Sequence, residues 1–212
     1  AYNYYQSGTI YRSCTIERPV RATVSTFYGV YLSSCANMLI EKNRIRKGFD
    51  AALSSTATAY GIYLTGDASV GNENKIYNNL ISDMRFAGLL YGIYSTTSDY
   101  WQAYHNTISF DHTASTATSS TYGIYSSGTL AYDVRNNIIS ISRGGTGNKW
   151  CVYYVTPAAA TSNYNNLYMN AAAGTNSIGN TGGTSYATLA TWQTGSGKDA
   201  NSYSENPWYF NP

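Results

Sequence analysis

Charge is scarce in this sequence. Only 11% of its 212 residues are Asp, Glu, Lys or Arg, against about 25% in an average soluble protein. Thirteen basic and eleven acidic residues leave a net +2. With no basic run and no phosphate-neutralising patch, nucleic acid is a poor partner. Apolar runs are short as well: none approaches the ~20 residues that span a bilayer, so no membrane span is expected. Glu, Lys and Leu are too few for a coiled coil. Cysteine is limited to Cys14, Cys35 and Cys151. Without CxxC or Cys/His spacing these do not suggest zinc, and they read either as small buried thiols or as a Cys14–Cys35 disulfide plus one free thiol. A Walker loop, a dinucleotide fingerprint and calcium-type Gly-Gly-x-Gly-x-Asp repeats are all missing, so no cofactor and no metal are expected. The chain opens at Ala1 without an initiator Met or a signal peptide, and reads as a mature or excised segment of something longer.

What is abundant is tyrosine, with 23 copies, beside 19 glycines. Serine, threonine and asparagine supply about a third of the chain. A content of 43% hydrophobic and 15% aromatic residues is enough to bury a core, which argues against disorder. The composition suits many short strands joined by turns.

Those strands repeat. Tyr-Gly-Val/Ile-Tyr occurs at Tyr28–Tyr31, Tyr60–Tyr63, Tyr91–Tyr94 and Tyr122–Tyr125, with a degenerate copy at Trp150–Tyr153. A second motif, Asn-x-Ile, follows each copy: Asn43-Arg44-Ile45, Asn79-Leu80-Ile81, Asn106-Thr107-Ile108 and Asn137-Ile138-Ile139, with Asn166-Leu167-Tyr168 as a looser fifth and Cys14-Thr15-Ile16 as a forerunner. Two motifs locked in phase identify a repeat architecture. The segments alternate and are rich in Tyr, Ile and Val, which excludes helical repeats. Scarce leucine excludes leucine-rich ones. The expected fold is therefore all-β: a right-handed, single-stranded parallel β-helix of five to six coils of ~31 residues, with like strands stacked at the strand spacing. Residues 1–170 are assigned to the coils. Residues 171–212 are assigned to an irregular, lateral C-terminal segment, in which Tyr186–Gln193 forms a short helix or turn and the chain after Asn201 re-enters an extended strand, as it would in a longer protein.

The YGIY…N-x-I unit resembles the right-handed parallel β-helix repeat of secreted bacterial and phage proteins, over residues ~10 to 170. The tail, Tyr186-Ala-Thr-Leu189-Ala-Thr-Trp192-Gln193 with Gly197-Lys198-Asp199-Ala-Asn201-Ser202, resembles the stretch after the last coils of large bacterial surface proteins, common among Bacteroidota-like bacteria. The resemblance implies a secreted or cell-surface location. It leaves activity open, because the fold hosts many functions.

Strict alternation places Val30 inward with Tyr28, Tyr60, Tyr91 and Tyr122 on its side, and puts the glycines and Tyr31, Tyr63, Tyr94, Tyr125 and Tyr153 outward. That outer column reads either as a structural ladder or as an aromatic track for sugar rings. The column Asn43, Asn79, Asn106, Asn137 and Asn166 reads as a structural corner ladder. Upstream of it, Ile40, Ile76, Ala103 and Val134 are expected inside. Glu41, Tyr77, Tyr104, Arg135 and Tyr164 are expected outside, as are Leu39, Lys75, Gln102, Asp133 and Ser162. Lys75, Tyr77, Gln102, Tyr104, Asp133 and Arg135 then form an exposed patch that reads as a solvated face, a glycan-binding surface or a catalytic site. In the catalytic alternative Lys75, Tyr104, Asp133 and Arg135 supply the cation and base of a polysaccharide lyase; a glycoside hydrolase is less well served, because no close pair of carboxylates is evident. The favoured expectation is non-catalytic: a secreted structural, adhesive or filament-forming segment whose partners are a polysaccharide or other copies joined through coil ends.

Overall fold

A computed structural model describes residues 1–22 and 25–209. Three stacks of parallel strands run its length. The first sheet contains Tyr2–Tyr4, Phe27–Ser33, Ala59–Thr65, Leu90–Thr96, Thr121–Ser126, Lys149–Tyr154 and Asn176–Thr181. The second contains Ile10–Arg12, Leu39–Glu41, Asn74–Tyr77, Trp101–Tyr104, Tyr132–Arg135 and Ala160–Asn163. The third contains Thr15–Ile16, Arg44–Ile45, Leu80–Ile81, Thr107–Phe110, Ile138–Ile141 and Asn166–Met169. Successive strands pass from sheet to sheet, and each pairs with its copy in the turns before and after. The chain is a mostly β, parallel β-solenoid of about six turns.

Identical positions stack, so the interior is made of columns. Val30, Ile62, Ile93, Ile124 and Val152 are in register in the first sheet, and Ile45, Ile81, Ile108, Ile139 and Leu167 in the third. All ten are fully buried. Ile40, Ile76, Ala103 and Val134 form the second-sheet column, inward as expected.

The phase of the first sheet differs from strict alternation. In Tyr-Gly-Ile-Tyr both tyrosines point outward, while the glycine and the Val/Ile both face the interior. Tyr28, Tyr60, Tyr91 and Tyr122 are therefore outside, and the glycines form no outer floor. The cause is close approach between sheets. A Cβ at Gly92 would lie 2.5 Å from the Gly123 carbonyl oxygen and 2.9 Å from Ile108 Cγ2. Beside a β-branched Ile of the third sheet, glycine leaves the room for two consecutive inward positions. In the sixth turn Cys151 takes this place, and its third-sheet neighbour in the column is Leu167, which has no branch at Cβ.

The corner between second and third sheets is built by asparagine. Each side chain accepts from the backbone and amide N–H groups of the asparagine one turn earlier: Asn79 Nδ2 donates to Asn106 Oδ1 over 2.9 Å, and Asn106 Nδ2 to Asn137 Oδ1 over 3.0 Å. The same amides donate to carbonyls of the second sheet, as Asn106 Nδ2 does to Ile76 O at 2.8 Å. Asn43, Asn79, Asn106 and Asn137 occupy this column as expected, and Cys14 N joins it by donating to Asn43 Oδ1. The fifth member is Asn165, not Asn166: Asn137 Nδ2 donates to Asn165 Oδ1 at 3.1 Å, whereas Asn166 pairs with Ile138 in the third sheet and bonds Glu205. The residue before each ladder asparagine holds a left-handed conformation without being glycine, at Lys42, Asn78, His105, Asn136 and Tyr164.

The first sheet continues past residue 170 with Asn176–Thr181, so the coil boundary drawn there falls one strand early. An antiparallel strand, Thr184–Tyr186, then covers that edge. The helix Leu189–Ser196 follows, opened by a Thr188 capping box and closed by Gly197 in the left-handed region. Its Trp192 is fully buried beside Gly179 and Tyr154 and plugs the interior of the last turn, so the helix is more than a lateral cover. Asp199 terminates the corner column. Its carboxylate accepts from Trp192 Nε1, Ser162 Oγ, Asn165 Nδ2 and Ser202 Oγ. Tyr203 then bridges Asn166 in parallel.

Two cations lie inside the loop stack that joins third and first sheets. Arg143 is fully buried; it donates to Thr121 Oγ1 and to the carbonyls of Phe86 and Gly88, each at 2.8 Å, with its guanidinium 4.9 Å over the Phe86 ring. Burial lowers its pKa to about 10. Lys149 donates to the carbonyls of Gly145, Gly147 and Ala173, each at 2.8 Å. The Gly-rich stretch from Arg143 to Lys149 is thus a source of internal staples rather than of exposed charge.

Candidate functional site

Two outer faces carry the residues singled out in the sequence, and they differ in chemistry. On the first sheet, Tyr28, Tyr60, Tyr91, Tyr122 and Trp150 form one column, and Tyr31, Tyr63, Tyr94, Tyr125 and Tyr153 the next. Within a column the rings stack nearly parallel: Tyr60–Tyr91 at 5.1 Å and 6°, Tyr91–Tyr122 at 4.7 Å and 6°, Tyr94–Tyr125 at 5.0 Å and 11°. Between columns they meet edge to face, as in Tyr60–Tyr63 at 4.9 Å and 88° and Tyr122–Tyr125 at 5.5 Å and 81°. Both geometries suit the ring quadrupole. Burial in this array, aided by neighbouring phenols, holds the phenol protons tightly: the pKa of Tyr63 rises to about 12, and Tyr60 and Tyr91 shift in the same direction. The ring faces are turned toward one another, so this surface offers edges and hydroxyls. A sugar ring needs a free aromatic face, and the Tyr31–Tyr153 column has given its faces to the stack.

On the second sheet, Lys75, Gln102 and Asp133 lie in one outward column, and Glu41, Tyr77, Tyr104 and Arg135 in the neighbouring one. The expected patch is therefore assembled across three turns. Its last turn needs correction by one residue: Thr161 and Asn163 continue the columns, while Ser162 points inward and Tyr164 turns the corner. The slip follows from anchoring that turn on Asn166.

The patch groups are engaged with one another. The Tyr104 hydroxyl donates to Asp133 Oδ2 at 2.8 Å, and Arg135 Nε lies 2.8 Å from Asp133 Oδ1, off the line of a good hydrogen bond. The Tyr77 hydroxyl donates to Gln102 Oε1, and the Tyr77 and Tyr104 rings stack at 5.1 Å and 5°. Burial first, then the bond to Asp133, drives the Tyr104 pKa upward. Burial first, then Asp133, does the same at Tyr77. A lyase base must release and take up protons near neutral pH; Tyr104 is shifted away from that role, and the Arg135 charge is already compensated.

Two shallow clefts open on this face. One, of about 330 Å³, is lined by Arg135, Thr161, Asn163, Tyr164 and Lys198. The other, of about 190 Å³, runs past Glu73, Tyr100, Gln102, Asp133 and Thr161. Lys198, Thr161 and Asn163 were not foreseen; placing the corner column on Asn165 would have brought the latter two into the patch. A wider concavity, about 650 Å³, sits between the terminal hairpin and the helix and is lined by Ser185, Tyr186, Ala187, Ala190, Thr191, Thr194 and Gly195, none of them a carboxylate, imidazole or amine.

Elsewhere, Cys14, Cys35 and Cys151 are free thiols, the first exposed and the others buried, so the Cys14–Cys35 disulfide is not formed. Among the described residues no three His, Cys, Asp or Glu side chains gather as a metal site. No helix among them is long and apolar enough to cross a membrane. No known protein family, curated protein or solved structure matches the chain.

Proposed function

We propose that the chain is a non-catalytic structural and adhesive module of a secreted or cell-surface protein, a rigid rod that presents a glycan-contacting face on its second sheet. The observation that supports this most is the self-pairing of the patch that carries the catalytic ingredients. Tyr104, Asp133 and Arg135 engage one another, and the Tyr104 proton is held by burial and by Asp133. Stacked Tyr77 and Tyr104, flanked by Gln102, Lys75 and the two clefts, suit weak polar contact with an extended sugar polymer. Self-association through coil ends is not favoured at the C-terminal edge, where the antiparallel Thr184–Tyr186 strand occupies the last first-sheet strand.

Incubation with uronate polysaccharides, followed by the ultraviolet absorbance of unsaturated product, tests this reading. No product is expected, together with glycan-array binding that weakens in Tyr104→Ala. Product formation abolished by Arg135→Ala would replace it with the lyase alternative.

A further inference from the structure

The first-sheet face combines three properties. It is uncharged: among the described residues of its strands the only Lys, Arg, Asp or Glu is Lys149, which points inward and is 1% exposed. Exposed charge among the described residues comes from outside these strands, and it borders the face where Glu17, Arg18 and Arg21 line a cleft with Tyr2 and Tyr28. It is also regular, since two aromatic columns run beside a third column of Ser33, Thr65 and Thr96 in strand register. Finally, it is continuous over six strands, from Tyr2 to Tyr153.

We infer that this face is a self-complementary contact surface, and that its partner is the same face of a second copy of this chain. The period carries the choice of partner. Rows of ring edges and hydroxyls repeat at the strand spacing, ~4.8 Å, and a second copy presents the same rows at the same interval. Identical ladders of this kind interdigitate as dry interfaces between paired sheets. A two-fold axis lying in the plane of the contact brings one patch onto its own copy, which closes the contact as a dimer. Six strands by about six residues give a patch of roughly 25 by 20 Å. Two such patches bury about 1,000 Å², the lower bound for a specific interface, so a reversible dimer is the expected product. Charge on this face would be desolvated on contact, which accounts for its exclusion.

This pairing deepens the structural reading above by naming a partner. Analytical ultracentrifugation of the whole chain over a broad concentration range tests it. A monomer–dimer equilibrium is expected that is insensitive to added salt, because no ion pairs cross the contact. Thr65→Arg and Thr96→Arg place charge on the face outside the aromatic stacks. Each is expected to weaken association at least tenfold while the thermal melt stays within a degree or two of the parent. Lys75→Glu on the second sheet should leave association unchanged. A protein that is monomeric throughout overturns the inference, as does a dimer indifferent to both threonine substitutions. Retention of a monomer on solid cellulose or chitin, lost in Thr96→Arg, would also overturn it by assigning the face to a polysaccharide surface. None of these outcomes touches the non-catalytic reading, which falls only if uronate cleavage is found; dimerisation can stand or fall apart from that.

Discussion

The first and second sheets stack through the same turns, with seven parallel strands in one and six in the other, yet their outer faces are opposites. One repeats a single chemistry, Tyr over Tyr, for five turns. The other changes residue at every turn: Leu39, Lys75, Gln102, Asp133 and Thr161 in one column. Repetition favours stacking, where each ring gains from the rings above and below, about 0.5–1.5 kcal/mol per aromatic pair. Variation forgoes that gain and places different hydrogen-bonding groups side by side, which suits a face that meets a heterogeneous ligand. The contrast separates a surface that holds the rod together from one free to vary.

The sharpest break in this comparison comes from the corner the two sheets do not share. Asn106→Ala removes the acceptor for the Asn79 backbone and amide N–H groups and leaves Ile76 O without its donor. At about 1–3 kcal/mol for each buried group left unpaired, a loss of roughly 3 kcal/mol or more is expected in chemical denaturation. A change below 1 kcal/mol would mean that the asparagine column does not bear on the fold.

Alkali should separate the faces next. Below pH 10 the phenols of Tyr60, Tyr63 and Tyr91 are protonated both folded and unfolded, so their contribution is fully present. Above it the unfolded chain loses protons that the stacked rings keep, with Tyr63 held up to about 12, and stability declines as pH rises from about 10 through 12. The phenolate absorbance of Tyr60, Tyr63 and Tyr91 should therefore appear together with loss of the β circular-dichroism signal. Ionisation of these three near pH 10 in an intact fold would show that the array is open to water.

The smallest effect is expected on the variable face. Arg135→Ala removes a half-exposed ion pair with Asp133, and such pairs contribute ~0–1 kcal/mol. Gly92→Ala, by comparison, drives a methyl into the Gly123 carbonyl and Ile108, an overpacking that costs about 1–3 kcal/mol. Matched thermal melts of the two variants should rank in that order.

Much of this architecture was legible from two motifs in phase. The repeat exposed the solenoid, four of the five corner asparagines, the inward column of the second sheet and the inward Val30 of the first. Where the reading failed, a local rule met a tertiary constraint. Alternation put Tyr28, Tyr60, Tyr91 and Tyr122 inside because it assumes a period of two through glycine, and the approach of Ile45, Ile81, Ile108 and Ile139 breaks that period. The slip from Asn165 to Asn166 arose because both residues are asparagine; counted from Asn165, Leu167 takes the motif's isoleucine place, as its pairing with Ile139 shows. The burial of Arg143 and Lys149 was not legible, since nothing local shows that stacked loops aim carbonyls at them; the surrounding glycines were the available hint. Asp199 and Ser202 ended the column without an asparagine to mark them.

The placement of both tyrosines of each repeat on one outer face is tested most directly by a double-mutant cycle at Tyr91 and Tyr94, whose rings lie 4.6 Å apart. Tyr91→Ala, Tyr94→Ala and the double variant are compared by chemical denaturation. A favourable coupling of about 0.5–1.5 kcal/mol is expected for rings in contact. Additivity within ~0.3–0.5 kcal/mol, as for residues without shared contacts, would put the two rings on opposite faces and contradict the stacked aromatic face.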